Sequence, residues 1–114
     1  MKTALKAHFD GKDPVVEKIY LRLIQLTEQF GPVSAEPKKT SIHLCGRFAF
    51  AGVYTRKNYI LLELPLNHKL ETDRVEKVEQ ASTNRFHHRF RLTSERDLDK
   101  EMTSWLREAY ILKG

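Results

Sequence analysis

Residues 47–66 read RFAFAGVYTRKNYILLELPL. Two short apolar runs, RFAFAGVYT and YILLEL, stand on either side of Lys57-Asn58, the pattern of two strands joined by a tight turn. The first run is apolar on both parities, with Phe48 and Phe50 set against Ala49, Ala51 and Val53. That is how a central strand covered on both sides reads, and Gly52 within it predicts a bulge. Upstream, VSAE (33–36) and TSIHLC (40–45) are punctuated by Pro37 and Gly46, which extends the reading to an antiparallel meander.

Downstream, FHHRFRL (86–92) alternates cleanly. Phe86, His88, Phe90 and Leu92 share one face, while His87, Arg89 and Arg91, with Arg85 in line, share the other. Residues 71–84 are ambiguous, because ETDRVEKVEQAS suits either a short helix or a charged edge strand, and we read them as a strand. Helices flank this β-rich middle. Asp13-Pro14 opens an apolar repeat at Val15 or Val16, Ile19, Leu23, Leu26 and Phe30 that Gly31-Pro32 closes, giving an N-cap, a proline at the first helical position and a C-terminal glycine. Ser94 with Asp97 resembles a second helix start, followed by Leu98, Met102, Trp105, Ala109 and Leu112 at helical spacing. The expectation is a single α+β domain over residues 1–114, with an antiparallel sheet of about five or six strands and the N-terminal and C-terminal helices packed on one face. The other face would be partly open and basic.

Composition agrees with a chain that folds alone. Of 114 residues, 40% are hydrophobic and 31% charged, too apolar for disorder and enough for one core. MKTALKAHFDGKD lacks a secretory apolar region, and no stretch reaches the roughly 20 apolar residues of a spanning helix, so a cytoplasmic protein without membrane contact is expected. The single Cys45 cannot form an internal disulfide and reads as a small buried residue.

Catalytic and metal patterns are absent. There is no G-x-S-x-G, H-E-x-x-H, P-loop or G-x-G-x-x-G. His87 and His88 are adjacent, and on a strand they point to opposite faces, which disfavours a shared metal ion. Cys45 with His43 is the nearest thiol–imidazole pairing, and activation would need a lowered thiol pKa. Glu63 is the only carboxylate inside the clear strands, and one carboxylate without a partner implies no acid–base mechanism. No catalytic residue, metal ligand or cofactor is therefore expected.

Charge is the feature that remains. Residues 37–62 and 80–94 hold eight Lys and Arg and three His but no Asp or Glu, in a chain of net charge +5. Lys38, Lys39, Arg47, Arg56, Lys57, Arg85, His87, Arg89 and Arg91 are the candidate contacts for nucleic acid or another polyanion, with Tyr54 and Tyr59 as stacking surfaces. The plainer account is that these cations keep the protein soluble and guard strand edges. The alternative function is a protein-interaction or self-association domain, a homodimer included, that uses Phe48 or Phe50 on the second parity of the strands. A third class is an enzyme with a small pocket that uses His43, Cys45 or His87.

Five blocks carry a resemblance: HFDGKDP (8–14), EPKKTSIHL (36–44), FAFAGVYTRKNYILLELPL (48–66), KVEQASTNRFHHRFRL (77–92) and DLDKEMTSWLREAY (97–110). Together they span nearly the whole chain, which resembles the bacterial domain-of-unknown-function family numbered 5655. The resemblance implies a stand-alone or carboxy-terminal domain, sometimes joined to nuclease-like modules, and supplies no catalytic residue. It singles out Lys38, Lys39, Thr40, Arg56, Lys57, Asn84, Arg85, His87, His88 and Arg89, largely the basic stretches. Asn84-Arg85 also suits a hairpin turn, and His88 a hydrogen-bonded core histidine. In outline the last helix is also similar to that of the MmcQ/YjbR-like group, which implies a compact α/β fold suggested to bind DNA.

Overall fold

The computed structural model of the chain describes residues 2–113. Helix α2 (Pro14–Thr27) starts where the sequence predicts: Asp13 Oδ1 accepts from the Val15 N–H at 2.9 Å and Pro14 occupies the first turn. It buries Val16, Ile19, Tyr20, Leu23 and Leu26. It ends a turn earlier than the apolar repeat suggests. Glu28 caps it, and the chain turns through Phe30 to Gly31, whose φ of 149° only glycine adopts readily. A short helix α1 (Lys2–Ala7) precedes it, too brief to register as a period, with Leu5 and Phe9 packed against the core.

Six strands, β1 (Ser34–Pro37), β2 (Ile42–Cys45), β3 (Ala49–Thr55), β4 (Ile60–Leu66), β5 (Val75–Ser82) and β6 (Arg85–Leu92), form one antiparallel sheet in the order β1-β2-β3-β4-β6-β5. The meander holds for four strands and then breaks, because β6 takes the place beside β4 and leaves β5 at the edge. Hydrophobicity accounts for the swap. Phe86, His88, Phe90 and Leu92 present an apolar face that an interior position buries, whereas β5 offers only Val75 and Val78 between charges. β5 also carries two register shifts, near Glu76 and Ala81, and β1 is short and ends in Pro37, so both edges resist further pairing.

The double-parity run in β3 has a different cause from the one the sequence suggests. Ala51 pairs with Leu44 and Ala49 with Cys45, which leaves Phe50 as the extra residue of a bulge. Gly52 itself pairs regularly with His43 and Glu63, so the bulge lies two residues before the predicted site. The slip turns Phe50 into the core, where it is fully buried and meets Tyr110 edge-on at 5.1 Å, while Phe48 stays 63% exposed. The C-terminal helix packs on one face of β3, and no helix of the described residues covers the other.

Ser94 does form a capping box with Asp97, but it caps a single 3₁₀ turn (Glu95–Asp97). Helix α3 (Lys100–Lys113) begins one turn later, with Asp99 Oδ1 accepting from the Met102 N–H at 3.0 Å. It packs beside α2 on the same sheet face, burying Met102, Trp105, Leu106 and Ala109, and Trp105 stacks on Phe90 at 5.3 Å. The result is the expected α+β layering. His88 lies in this core with no exposure, its Nε2 accepting from the Leu70 N–H at 3.0 Å. It is only half satisfied, since its Nδ1 has no partner among the described residues.

Candidate anion-binding face

In an antiparallel pair, residues directly opposite share a face. The register therefore lays Glu36, His43, Gly52, Glu63, Arg89 and Lys77 in one row across all six strands, on the side that no helix of the described residues covers. Glu63 is the hub of that row. Its Oε1 accepts from Arg89 Nη2 at 2.9 Å, and its Oε2 lies 3.3 Å from His87 Nδ1. Beside Glu63, the Arg89 guanidinium is held even more firmly in its charged form, and it lies over the Tyr54 ring at 5.4 Å. Arg91 repeats the arrangement one row along: Glu76 accepts from its Nε at 2.8 Å, raising its pKa, and Tyr59 lies beneath it at 4.4 Å. Lys38 Nζ is 3.5 Å from Glu36.

The candidate cations thus divide into groups. Arg89, Arg91, His87 and Lys38 each stand against a carboxylate. Lys39, in the turn after β1, and Arg56 and Lys57, in the turn after β3, lie at one end of the sheet and have no carboxylate partner among the described residues. The N-terminal segment braces both turns: His8 Nε2 donates to the Lys38 carbonyl at 2.9 Å, and the Asp13 N–H to that of Lys57 at 2.7 Å. Arg56 also lies over Tyr54, at 5.8 Å. Arg47 precedes β3 and Arg85 begins β6, so these two lie toward the other end of the sheet. Glu36 and Glu63 border the first acid-free stretch, and Glu76 precedes the second, which is why a linear charge count missed the neutralisation that pairing brings.

Between the two ends the open face sinks into a cavity of about 230 Å³ with Gly52 and Ala49 among the residues that line it. His43, Tyr54, Glu63, Arg85, His87 and Lys113 complete most of its wall. Lys113 arrives from the end of α3, a contribution that no strand pattern announces. Cys45, two residues from His43, is no activated nucleophile, because burial and then neighbouring Glu36 push its thiol pKa up. Among the described residues no three His, Cys, Asp or Glu side chains are placed to hold a metal ion, and no helix is long and apolar enough to cross a membrane.

A family model described as "Domain of unknown function (DUF5655)" matches residues 5–113. No curated protein and no solved structure matches the chain.

Proposed function

The chain belongs to the DUF5655 family, and from that premise we propose that it is a non-enzymatic binding module for an anionic partner, nucleic acid being the class its side chains suit best. The supporting observation is the pair of basic turns at one end of the sheet. Lys39, Arg56 and Lys57 form no ion pair with a carboxylate of the described residues, on hairpins centred two strand spacings, about 10 Å, apart. Such cations displace counterions from a phosphate backbone, which makes binding salt-dependent and largely indifferent to sequence. Tyr54 and Tyr59 border the same end of the open face and already lie under arginines, the amphipathic surroundings in which an unpaired base stacks.

The test is a titration of labelled single- and double-stranded DNA and RNA at low and physiological salt, on the parent and on K39E/R56E/K57E. Binding should weaken steeply with salt and vanish in the variant while its thermal midpoint holds. Absence of binding at low salt, or equal binding by the variant, rejects the reading. Arg89 and Arg91 are left intact in that variant, since reversing either would set it against Glu63 or Glu76.

One observation favours a protein-interaction or self-association role instead. Phe48 and Ile111 are 63% and 75% exposed, and the Phe48 N–H donates to the Lys113 carbonyl, which ties the turn before β3 to the end of α3. A dimer that survives high salt and is lost in Phe48→Ser would carry that reading.

A further inference from the structure

Gly52 is a glycine that neither its backbone nor its packing requires. Its φ lies outside the positive range, where among the described residues Gly11 and Gly31 fall. A β-carbon there would meet Tyr54 Cε1 at 3.5 Å and the Glu63 β-carbon at 3.8 Å, ordinary contacts. Glycine inside a strand costs roughly 0.5–1 kcal/mol relative to alanine and commonly marks close approach by a ligand or another backbone. Among the described residues no chain crosses this face, and the absent side chain leaves open space between His43 and Glu63.

The cavity that the missing side chain opens is electropositive. Arg85 and Lys113 reach its wall with no carboxylate partner among the described residues. Its one carboxylate, Glu63, has Oε1 occupied by Arg89 and Oε2 facing His87, so it orients donors more than it repels an anion. His43 on β2 and His87 on β6 contribute imidazoles from opposite sides of Gly52 and Glu63. The lining cations and imidazole come from different strands and from the end of α3, and arginine and lysine are the usual partners of phosphate oxygens. About 230 Å³ is below the roughly 300–1,000 Å³ of sites for drug-sized ligands, so the occupant is small.

We propose that the Gly52 cavity binds a phosphate group, with Arg85 and Lys113 supplying charge and the His43 imidazole a hydrogen bond, while His87, its Nδ1 facing Glu63, lines the wall. The group could belong to a free small phosphate or to the 5′ end of a nucleic acid chain, which share this chemistry. The site is separate from the basic turns and does not depend on their reading.

The experiment is two-dimensional NMR of the full chain, titrated with inorganic phosphate against chloride at constant ionic strength. Saturable shifts of the Gly52 amide and of the His43 and His87 ring protons are expected. Gly52→Leu, which fills the cavity, should weaken binding at least about tenfold, or 1.4 kcal/mol. Should that variant fail to fold, R85A/K113A carries the same expectation. K39E/R56E/K57E should bind phosphate as the parent does, which separates this site from the polyanion surface. Shifts that never saturate, parent-like binding by the folded Gly52→Leu or R85A/K113A protein, or loss of binding in K39E/R56E/K57E would each overturn the proposal. A 5′-phosphorylated trinucleotide that binds more tightly than its 5′-hydroxyl form supports the site as one for chain ends; equal binding of the two, with phosphate still saturating, supports it as one for free small phosphates.

Discussion

The hydroxyl of Tyr110 occupies the space that a β-carbon on Gly31 would need. The same hydroxyl donates to the Pro32 carbonyl at 3.1 Å, and the ring packs on Phe30 and Phe50, so one side chain of α3 fastens the chain leaving α2 to the bulge of β3. Gly31→Ala meets both an unfavourable φ and this overlap, and should destabilise by about 2 kcal/mol or more. Tyr110→Phe should cost about 1 kcal/mol for the lost hydrogen bond. Combining them should cost less than the sum, because removing the hydroxyl relieves part of the overlap. Urea denaturation of the three variants measures this.

His88 should make stability fall below neutral pH. Burial, its largest influence, holds its pKa below the usual 6.5, and protonation would also abolish the acceptor that Leu70 uses. Above about 6.5 both folded and unfolded states are neutral at this site; as pH drops below that value the unfolded chain takes up a proton the folded protein resists. Stability should therefore decline from about pH 6.5 down to the lower folded value. In His88→Phe that decline should flatten, at a cost of about 1–3 kcal/mol for the unpaired Leu70 N–H. Denaturation midpoints between pH 5 and 8 test both statements.

Arg74 clamps the start of α3. Its Nη1 reaches Asp99 at 3.0 Å and Glu101 at 2.9 Å, its Nη2 donates to the Asp97 carbonyl, and its guanidinium lies 5.6 Å from the Trp105 ring centre. Arg74→Met keeps the stem and loses the polar contacts, for an expected loss of about 1–2 kcal/mol. Asp99 is held below its usual pKa by the Met102 N–H and then by Arg74. Its stabilising effect is present above about pH 3.8 and is lost as pH falls through the lower folded value. Acid denaturation of the parent and of Arg74→Met should show that loss reduced in the variant.

Cys45 should react slowly. With its thiol pKa raised by burial and by Glu36, little thiolate forms near neutrality, so iodoacetamide should label the folded protein more slowly than the urea-unfolded chain. Glu36→Gln should speed labelling of the folded protein, and an unchanged rate would assign the protection to burial alone.

What the chain itself determined is mostly local. Asp13 and Pro14 start α2 by satisfying or lacking the N–H groups at stake, and the strict alternation of residues 86–92 sorts Phe90 from Arg89 and Arg91 without reference to any neighbour. Most strand and helix assignments, the α+β layering and the identity of the cationic residues follow from such short-range rules, while α1 and the late start of α3 do not. Registers and pairings belong to the tertiary structure, because they depend on which strands compete for buried positions and where the backbone slips. The bulge at Phe50 resolved a double parity that residues 47–55 present without explanation. The insertion of β6 beside β4 put Arg89 and His87 against Glu63, and α3 carried Lys113 to a cavity whose other walls are strands. A row of charges in sequence has a sign. Pairing across strands decides how much of it is cancelled at Arg89, His87 and Arg91, since Glu63 and Glu76 are distant in the chain and lie on neighbouring strands about 5 Å away.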